Sequence, residues 1–353
     1  AFLATTLRSL QSSSKSVIMS TSKPVAIFLN SGRLDFDNAL NFERLESLTR
    51  LTLNDVDAVK DEKDIVKLVT ESKAEIVITK EMEVPLSALQ QFPTSVKLLC
   101  EAGTGYNNIP ISLARERNIH VCNIPSYSND SVAQMVITYI LSFGAAMFDQ
   151  ARMLHNGDRS NFTDRFQHPI YEITGKTLGL VGGSGTIGTC VVDVAIPLGM
   201  KILISSRSDS LPKGHKYKDH PSVSVVPLDE LFRRADFVSI NCPLNDQTRH
   251  SIGSREIRLM KSTAFIINTA RGAIINEAEL IQCMKEGVIA GAGLDTQEAE
   301  PPANDSEIWD LPNVILTPHI GWKRLETRQR LVDMTADNIE AYIDGNAQNV
   351  INS

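Results

Sequence analysis

The chain has 353 residues, of which 42% are hydrophobic and 22% are charged, and its formal net charge is −7. These values are typical of a soluble globular protein with room for two domains, and the acidic balance offers no basic surface for nucleic acid or an anionic membrane. No apolar run approaches the roughly 18 residues of a membrane span.

The N-terminal segment, residues 1–22, differs from the rest of the chain because it lacks acidic residues, is rich in serine and carries Arg8 and Lys15. Leucines at helical spacing add to its similarity to part of an organellar transit peptide. A disordered leader before an alternative start at Met19 is the other interpretation. We therefore expect a mitochondrial, plastid or cytoplasmic protein.

From Pro24, short apolar runs alternate with segments of helical periodicity, which predicts a parallel α/β sheet. The predicted strands are residues 25–29, 75–79, 96–100 and 120–122, and the predicted helices are residues 38–49, 63–72, 87–91 and 111–117.

A long apolar-periodic helix is predicted at about residues 130–153, followed by a polar loop to Glu172. A second alternating set of strands and a last helix at about residues 325–344 complete the chain. We interpret this order as two doubly wound α/β units joined by the long helix. The later strands are expected at residues 178–181, 201–204, 224–226, 237–241, 264–268, 290–294 and 314–316.

A glycine-rich turn follows the predicted strand at residues 178–181 and precedes a helix-forming segment. Its pattern fits G-x-G-x-x-G, in which the glycines allow a tight turn, a close approach to a pyrophosphate and close helix–strand packing. The sequence thus predicts a dinucleotide site at the helix N-terminus. The expected contacts are Gly183, Ser184, Gly185, Thr186 and Ile187, with Gly188 behind them.

The next predicted strand ends in Ser205, Ser206 and Arg207, without the acidic residue that usually binds a free ribose 2′-hydroxyl. Ser206 removes a charge that would repel a 2′-phosphate, and Arg207 can pair with that phosphate. NADP(H) is therefore the expected cofactor, with NAD(H) possible. The alternative is that Arg207 is an ordinary exposed residue of a polar loop.

The five cysteines are widely spaced and mostly flanked by apolar residues. They form no C-x-x-C pair and no Cys/His cluster with metal-binding spacing. We expect buried free thiols in a reducing compartment, and no metal site.

Seven motifs in order resemble those of the D-isomer-specific 2-hydroxyacid dehydrogenases, over about residues 24–352. The resemblance is nearest to the glycerate dehydrogenase and hydroxypyruvate/glyoxylate reductase branch. Besides the glycine loop, the motifs are residues 101–108 (EAGTGYNN), 129–134 (NDSVAQ), 241–244 (NCPL), 268–272 (NTARG), 291–301 (GAGLDTQEAEP) and 317–322 (TPHIGW).

The resemblance implies a flavodoxin-like substrate domain, residues 23–122 with 322–353, and a Rossmann dinucleotide-binding domain, residues 123–321. A cleft is expected between the two doubly wound parallel-sheet domains. The resemblance also implies a homodimer, in which the segment after Pro125 contacts the second subunit.

Three catalytic positions follow from the resemblance: His319 as the acid/base, Glu300 as the carboxylate that pairs with it, and Arg271 as the substrate-binding arginine. An imidazolium can protonate the carbonyl oxygen as hydride reaches the carbon, and a guanidinium can bind the carboxylate of a 2-oxo acid. Outside this context, each would be an ordinary loop residue.

Further contacts are implied by the resemblance. The substrate carboxylate would meet the backbone N–H groups of Ala102, Gly103 and Thr104. Lys80 could also face the cleft, although an exposed lysine at a strand end is the simpler expectation. The additional cofactor contacts are Val132, Pro243, Thr269, Ala270 and Asp295.

Two departures from the family pattern leave details open: Gly182 makes the glycine loop one residue longer, and Asn241 stands where histidine is frequent. The sequence predicts a reductase that transfers hydride from NADPH to glyoxylate or hydroxypyruvate, giving the D-2-hydroxy acid. Another 2-oxo acid reductase and a non-catalytic, dinucleotide-sensing corepressor are the alternatives. Glu300 disfavours a formate dehydrogenase, because those relatives have glutamine there.

Overall fold

The computed structural model describes residues 22–164, 166–208 and 210–352, so the expected leader lies outside the described residues apart from Ser22. Two parallel β-sheets flanked by helices form the described part of the chain, which confirms the predicted α/β fold class.

The first sheet is entirely parallel and has the order β2-β1-β3-β4-β5, the flavodoxin-like arrangement. Strands β3 and β4, in the interior of the sheet, are buried at every position because helices cover both faces. The strands are β1 (Val25–Phe28), β2 (Arg50–Leu53), β3 (Ile76–Thr79), β4 (Leu98–Glu101) and β5 (His120–Cys122), and the helices among them are α1 (Glu43–Leu48), α2 (Glu62–Glu71), α3 (Leu86–Gln91) and α4 (Ile111–Glu116).

The first predicted helix starts later than expected, and the strand after it was missed. Asp35 Oδ1 accepts the backbone N–H groups of Ala39 and Leu40 at 2.9 and 3.0 Å, and this turn replaces the first helical turn. Strand β2 lies at the sheet edge and is largely exposed, so it lacks the apolar run that identified the other strands.

The second sheet is also parallel, with the order β12-β11-β10-β9-β6-β7-β8. Strands β7 and β8 therefore lie on one side of β6, and β9 to β12 lie on the other side, as in dinucleotide-binding folds. The strands are β6 (Thr177–Val181), β7 (Lys201–Ser205), β8 (Val223–Val225), β9 (Phe237–Ile240), β10 (Phe265–Asn268), β11 (Gly291–Leu294) and β12 (Val314–Leu316).

Seven helices accompany this sheet or lead into it. Helix α5 is buried along most of its length and packs with β6, β7 and α8 in one apolar core. The helices are α5 (Asn129–Gly144), α6 (Met147–His155), α7 (Ser160–Thr163), α8 (Thr186–Ala195), α9 (Leu228–Arg234), α10 (Ser254–Ile257) and α11 (Glu277–Lys285).

The long helix expected over residues 130–153 is two helices, α5 and α6, bent by 66°. The carbonyl of Gly144 accepts the N–H of Tyr171 at 3.0 Å instead of continuing the helical bonds. Ala146 then adopts the left-handed conformation at φ 47°. Periodicity missed the break because both helices are apolar and the left-handed residue is not a glycine.

The last helix, α12 (Leu325–Ile343), returns to the first sheet. Leu331, Val332 and Ile339 join Phe28 and Ile78 in the core of that sheet. The domain boundaries at residues 122/123 and 321/322 stay a prediction.

No single helix among the described residues is both long and apolar enough to cross a membrane, although the bent pair α5–α6 meets the length and composition criteria when taken together. All five cysteines are free, and three of them are buried.

Candidate active site

A cavity of about 750 Å³ lies where the carboxyl ends of the two sheets face each other. Its size is typical of a cofactor and substrate site. Eleven of the predicted residues line it: Thr104, Val132, Gly185, Thr186, Ile187, Pro243, Thr269, Ala270, Arg271, Asp295 and His319. The other predicted residues, Ala102, Gly103, Gly183, Ser184, Ser206, Arg207 and Glu300, are outside its lining.

The glycine loop connects β6 to α8 as a tight turn. Gly182 has φ 78°, and a Cβ there would come within 2.9 Å of the Cys242 backbone. A Cβ at Gly188 would collide with the carbonyl of Gly183. Gly185 forms the N-cap of α8, so the free N–H groups of the first helical turn face the cleft. This geometry fits a pyrophosphate.

Ser206 and Arg207 directly follow β7, at the same sheet edge as the glycine loop. Ser206 Oγ donates to the carbonyl of Ser208 at 2.8 Å, which shapes the turn. The exposed Arg207 guanidinium has no ion pair or hydrogen bond within the described part of the chain. Its exposed position allows it to pair with an anion beyond the ribose position.

Two polar side chains on the cleft wall lack partners among the described residues. Both amide atoms of Asn241 and the hydroxyl of Thr269 are buried and make no hydrogen bond. Buried polar groups are usually satisfied, so these atoms suit a bound polar ligand. Asn241 is thus a candidate contact that the sequence analysis left open.

Arg271 follows β10 and projects into the cleft. Buried Asn268 shapes the preceding turn: its Nδ2 donates to the Arg271 carbonyl at 2.9 Å, and its Oδ1 accepts the N–H of Ala270 at 3.0 Å. Arg271 Nη1 donates to the carbonyl of Ala270 at 2.8 Å. The remaining guanidinium N–H groups can bind an anionic ligand.

His319 and Glu300 form the pair that the resemblance implied. His319 Nδ1 and Glu300 Oε2 are 2.8 Å apart, which leaves Nε2 as the ring nitrogen for a ligand in the cleft. The Glu300 carboxylate also accepts the N–H of Gln297 at 3.2 Å. The Glu300 carboxylate therefore fixes the orientation of the His319 ring from the side away from the cleft.

Asp295 organises the loop that carries His319. Its carboxylate accepts the N–H groups of Ile320 and Gly321 at 2.8 Å, and the Thr317 hydroxyl at 2.5 Å. The N–H of His319 donates to the Asp295 carbonyl at 2.9 Å. These bonds hold His319 at φ 50°, a left-handed conformation that needs such support.

Residues 102–104 form the turn after β4. The N–H of Ala102 donates to the carbonyl of Thr79 at 2.7 Å, and the carbonyl of Gly103 accepts the N–H of Ile124 at 2.9 Å. Ala102 and Gly103 are buried, and only Thr104 reaches the cleft wall.

The expectation of an exposed Lys80 is wrong. Lys80 is fully buried, and its ammonium donates to Glu81 at 2.8 Å and lies 3.9 Å from the ring centroid of Trp322. Paired carboxylates and aromatic faces offset the cost of burying this charge. The sequence does contain one signal for the position of Lys80: a Lys-Glu pair directly follows the buried strand β3. Residues that follow a parallel strand lie at the ligand-binding edge of the sheet.

Glu101, at the end of β4, has a fully buried carboxyl group that contacts the turn of Lys80 and Glu81. It accepts the N–H of Glu81 at 2.8 Å, the Thr79 hydroxyl at 2.7 Å and the Asn108 amide at 3.0 Å. Burial raises its pKa to about 7, although Lys80 and the hydrogen bonds act in the opposite direction.

Comparison with known proteins identifies the family. The family model described as "D-isomer specific 2-hydroxyacid dehydrogenase, NAD binding domain" matches residues 137–321. The glycerate dehydrogenase of Methylorubrum extorquens is 34% identical over 282 residues, covering 79% of this chain and 85% of the relative. The chain belongs to the D-isomer-specific 2-hydroxyacid dehydrogenases.

Another member of this family, the hydroxypyruvate reductase of Blautia hydrogenotrophica, is 30% identical over 328 residues, covering 92% of this chain and 97% of the relative. A crystal structure of a glyoxylate reductase from Paecilomyes thermophila superposes with a TM-score of 0.77 at 27% identity, covering 94% and 99% of the two chains. This chain is thus a dehydrogenase of the family and binds a nicotinamide dinucleotide.

Proposed function

We propose that the protein is an NADPH-linked reductase of glyoxylate or hydroxypyruvate that forms the D-2-hydroxy acid. The observation that carries this proposal is the 2.8 Å pair of His319 Nδ1 and Glu300 Oε2 in a cleft that Arg271 also lines. The relatives named as glycerate dehydrogenase, hydroxypyruvate reductase and glyoxylate reductase favour these two small substrates.

The residues divide the chemistry between them. The dinucleotide supplies the hydride when it is bound. His319 Nε2 donates a proton to the carbonyl oxygen, and Glu300 stabilises the imidazolium and fixes its orientation. Arg271 binds the substrate carboxylate and stabilises negative charge on the carbonyl oxygen. The N–H groups of Gly103 and Thr104 are the candidates to bind the carboxylate from the opposite side of the cleft, because the N–H of Ala102 already donates to the Thr79 carbonyl.

The cofactor assignment rests on the N-terminus of α8 and on the strand end after β7. The glycine loop would hold the pyrophosphate, and Val132, Pro243, Thr269, Ala270 and Asp295 would surround the nicotinamide side. Ser206 and the exposed Arg207, which has no partner among the described residues, support the preference for NADPH.

A substrate panel tests this function. Glyoxylate, hydroxypyruvate, pyruvate and bulkier 2-oxo acids are assayed with NADPH and NADH at equal concentrations, and the product configuration is determined by chiral chromatography. We expect the highest kcat/KM for glyoxylate or hydroxypyruvate with NADPH, and D-glycerate from hydroxypyruvate, since the glycolate formed from glyoxylate is achiral. A preference for bulky 2-oxo acids would support the alternative reductase, and an L product would overturn the assignment.

A further inference from the structure

Glu81 occupies the ligand-binding edge of the first sheet, where the order β2-β1-β3 changes direction. The turn after β3 is fixed to the turn after β1: Asn30 Nδ2 donates to the Lys80 carbonyl at 2.8 Å, and Asn30 Oδ1 accepts the Lys80 N–H at 2.9 Å. Glu81 follows directly and lines the same cleft as His319 and Arg271.

The Glu81 carboxylate is held as an anion between two cations. Lys80 Nζ lies 2.8 Å from Oε1, and Arg33 Nη2 lies 3.1 Å from Oε2. Burial raises the pKa of the Glu81 carboxyl, but the surrounding positive charges hold that pKa well below its usual range. Lys80 contributes most to the lowering, and the charge of His319 also contributes.

The backbone of Glu81 is equally fixed. It adopts φ 51°, a left-handed conformation that is costly for glutamate, and the buried Glu101 carboxyl accepts its N–H at 2.8 Å. A strained residue that its neighbours hold in place at a cleft is a frequent feature of functional sites. The side chain remains 20% exposed, although Lys80 behind it is fully buried.

We propose that Glu81 is a specificity-determining residue that accepts a hydrogen bond from a hydroxyl group on C3 of the 2-oxo acid. This inference rests on the proposed function. In the proposed function, the substrate carboxylate meets the turn of Gly103 and Thr104, and its carbonyl lies between Arg271 and His319. Glu81 and Trp322 line the same cleft, and the charge of His319 acts on the Glu81 carboxylate, so we place C3 of the substrate beside Glu81.

The chemistry of this wall selects the substituent. A carboxylate has about four acceptor sites, and the two ion pairs leave acceptor capacity for a ligand hydroxyl. An apolar methyl group would leave the charged oxygen without that bond, and a second carboxylate would be repelled by it. Among 2-oxo acids that have a C3, those with a hydroxyl group on C3 are favoured, whereas those with a methyl group or a second carboxylate there are disfavoured.

The first test compares ligands that differ at C3 alone. Binding of D-glycerate and D-lactate to the enzyme–NADP complex is measured by calorimetry, and kcat/KM is measured for hydroxypyruvate, pyruvate and oxaloacetate. A hydrogen bond to a charged group predicts about 10- to 100-fold in favour of the C3 hydroxyl in both measurements. Equal affinity for D-glycerate and D-lactate would overturn the proposal.

Glu81→Gln supplies the second test, because it keeps an acceptor oxygen but removes the charge. The preference for hydroxypyruvate over pyruvate should fall roughly 5- to 10-fold, and the discrimination against oxaloacetate should fall as well. Asp57→Asn is the matched control, since Asp57 pairs with Arg33 at 3.3 Å from outside the cleft lining and should leave both ratios unchanged.

Unchanged ratios in Glu81→Gln would contradict the role of Glu81. Failure of the proposed function is distinguishable from this result. An enzyme that reduces neither glyoxylate nor hydroxypyruvate contradicts the function itself, whereas one that reduces glyoxylate well but shows no C3 preference contradicts only the role of Glu81.

Discussion

The guanidinium of Arg271 lies so close to Gly105 that a Cβ at this position would overlap Nη2. Arg271 follows β10 of the second sheet, and Gly105 belongs to the turn after β4 of the first. The absence of a side chain at Gly105 therefore allows the two halves of the cleft to meet around the substrate position.

Gly105→Ala should displace Arg271 without unfolding the protein. The obstructed atom is the end of a flexible side chain, so the free energy of unfolding should change by less than about 1 kcal/mol. A displaced guanidinium should lower kcat/KM by about 10- to 100-fold. Steady-state kinetics and thermal unfolding check both parts, and normal kinetics would show that Arg271 is not held in its working position.

Arg207→Ala should change the cofactor preference. A charge-assisted hydrogen bond contributes about 1.5–3 kcal/mol, so the Kd for NADPH should rise by about 10- to 100-fold while that for NADH stays nearly constant. Fluorescence titration with both cofactors measures this. Arg233→Ala is a suitable control, because Arg233 is an exposed arginine of α9 that pairs with Asp229 outside the cleft lining. An equal loss for NADPH and NADH would contradict the 2′-phosphate assignment.

Glu101→Gln should make stability less dependent on pH. The folded pKa of Glu101 is raised to about 7, so its contribution is complete below the unfolded value and is lost as pH rises through 7. Between about pH 5 and pH 8, the parent should lose about 2–3 kcal/mol relative to the variant. Glu81 adds little to this window, because its pKa is lowered in the folded state and the ordinary glutamate pKa of the unfolded state already lies below pH 5. Urea unfolding at both pH values tests this, and parallel curves would contradict it.

The apolar segment after Pro125 should form a homodimer interface. Several large side chains on and after α5 are unusually exposed, and such patches commonly mark interaction surfaces. They are Leu141, Met147, Phe148, Leu154, Phe162, Phe166 and Ile170. Light scattering should give twice the 38.8 kDa chain mass. Phe162, at 78% exposure, is the site for a disruptive Phe162→Asp variant, and a monomeric parent would refute the dimer.

The order of elements was largely predictable because each buried parallel strand is a short apolar run between helical segments. The family motifs also placed His319 and Arg271, which line the cleft, and Glu300, which pairs with His319 from outside that lining. The break at Gly144 was not predictable, because it depends on a hydrogen bond from the distant Tyr171.

Lys80 illustrates a second limit of the sequence. A lysine at a strand end is usually exposed, and its burial here depends on Glu81, Tyr127 and Trp322. Trp322 lies more than two hundred residues away, so no local pattern indicates this environment. The position of Glu81 after β3 does indicate the ligand-binding edge of the sheet, but its ion pair with the distant Arg33 was not predictable from local sequence.

The pair of His319 and Glu300 is the centre of the proposed mechanism. Reduction needs a proton donor at the carbonyl oxygen, and the Glu300 carboxylate holds the His319 ring with Nε2 toward the cleft. His319→Ala should therefore lower kcat by about 10²–10⁴-fold while the Kd for NADPH stays nearly unchanged. Glu298→Gln is a matched control for changes at Glu300, since Glu298 pairs with His250 at 2.7 Å outside the cleft lining.

The most direct test is glyoxylate reduction by the parent, Glu300→Gln and Glu298→Gln, with the Kd for NADPH measured for each protein. Glu300→Gln keeps the size of the side chain but removes the charge that orients the His319 ring, so kcat should fall by about 10²-fold or more while the Kd for NADPH stays nearly unchanged. Glu298→Gln should keep the kcat of the parent. An unchanged kcat in Glu300→Gln would contradict the assignment of His319 and Glu300 as the proton-donating pair.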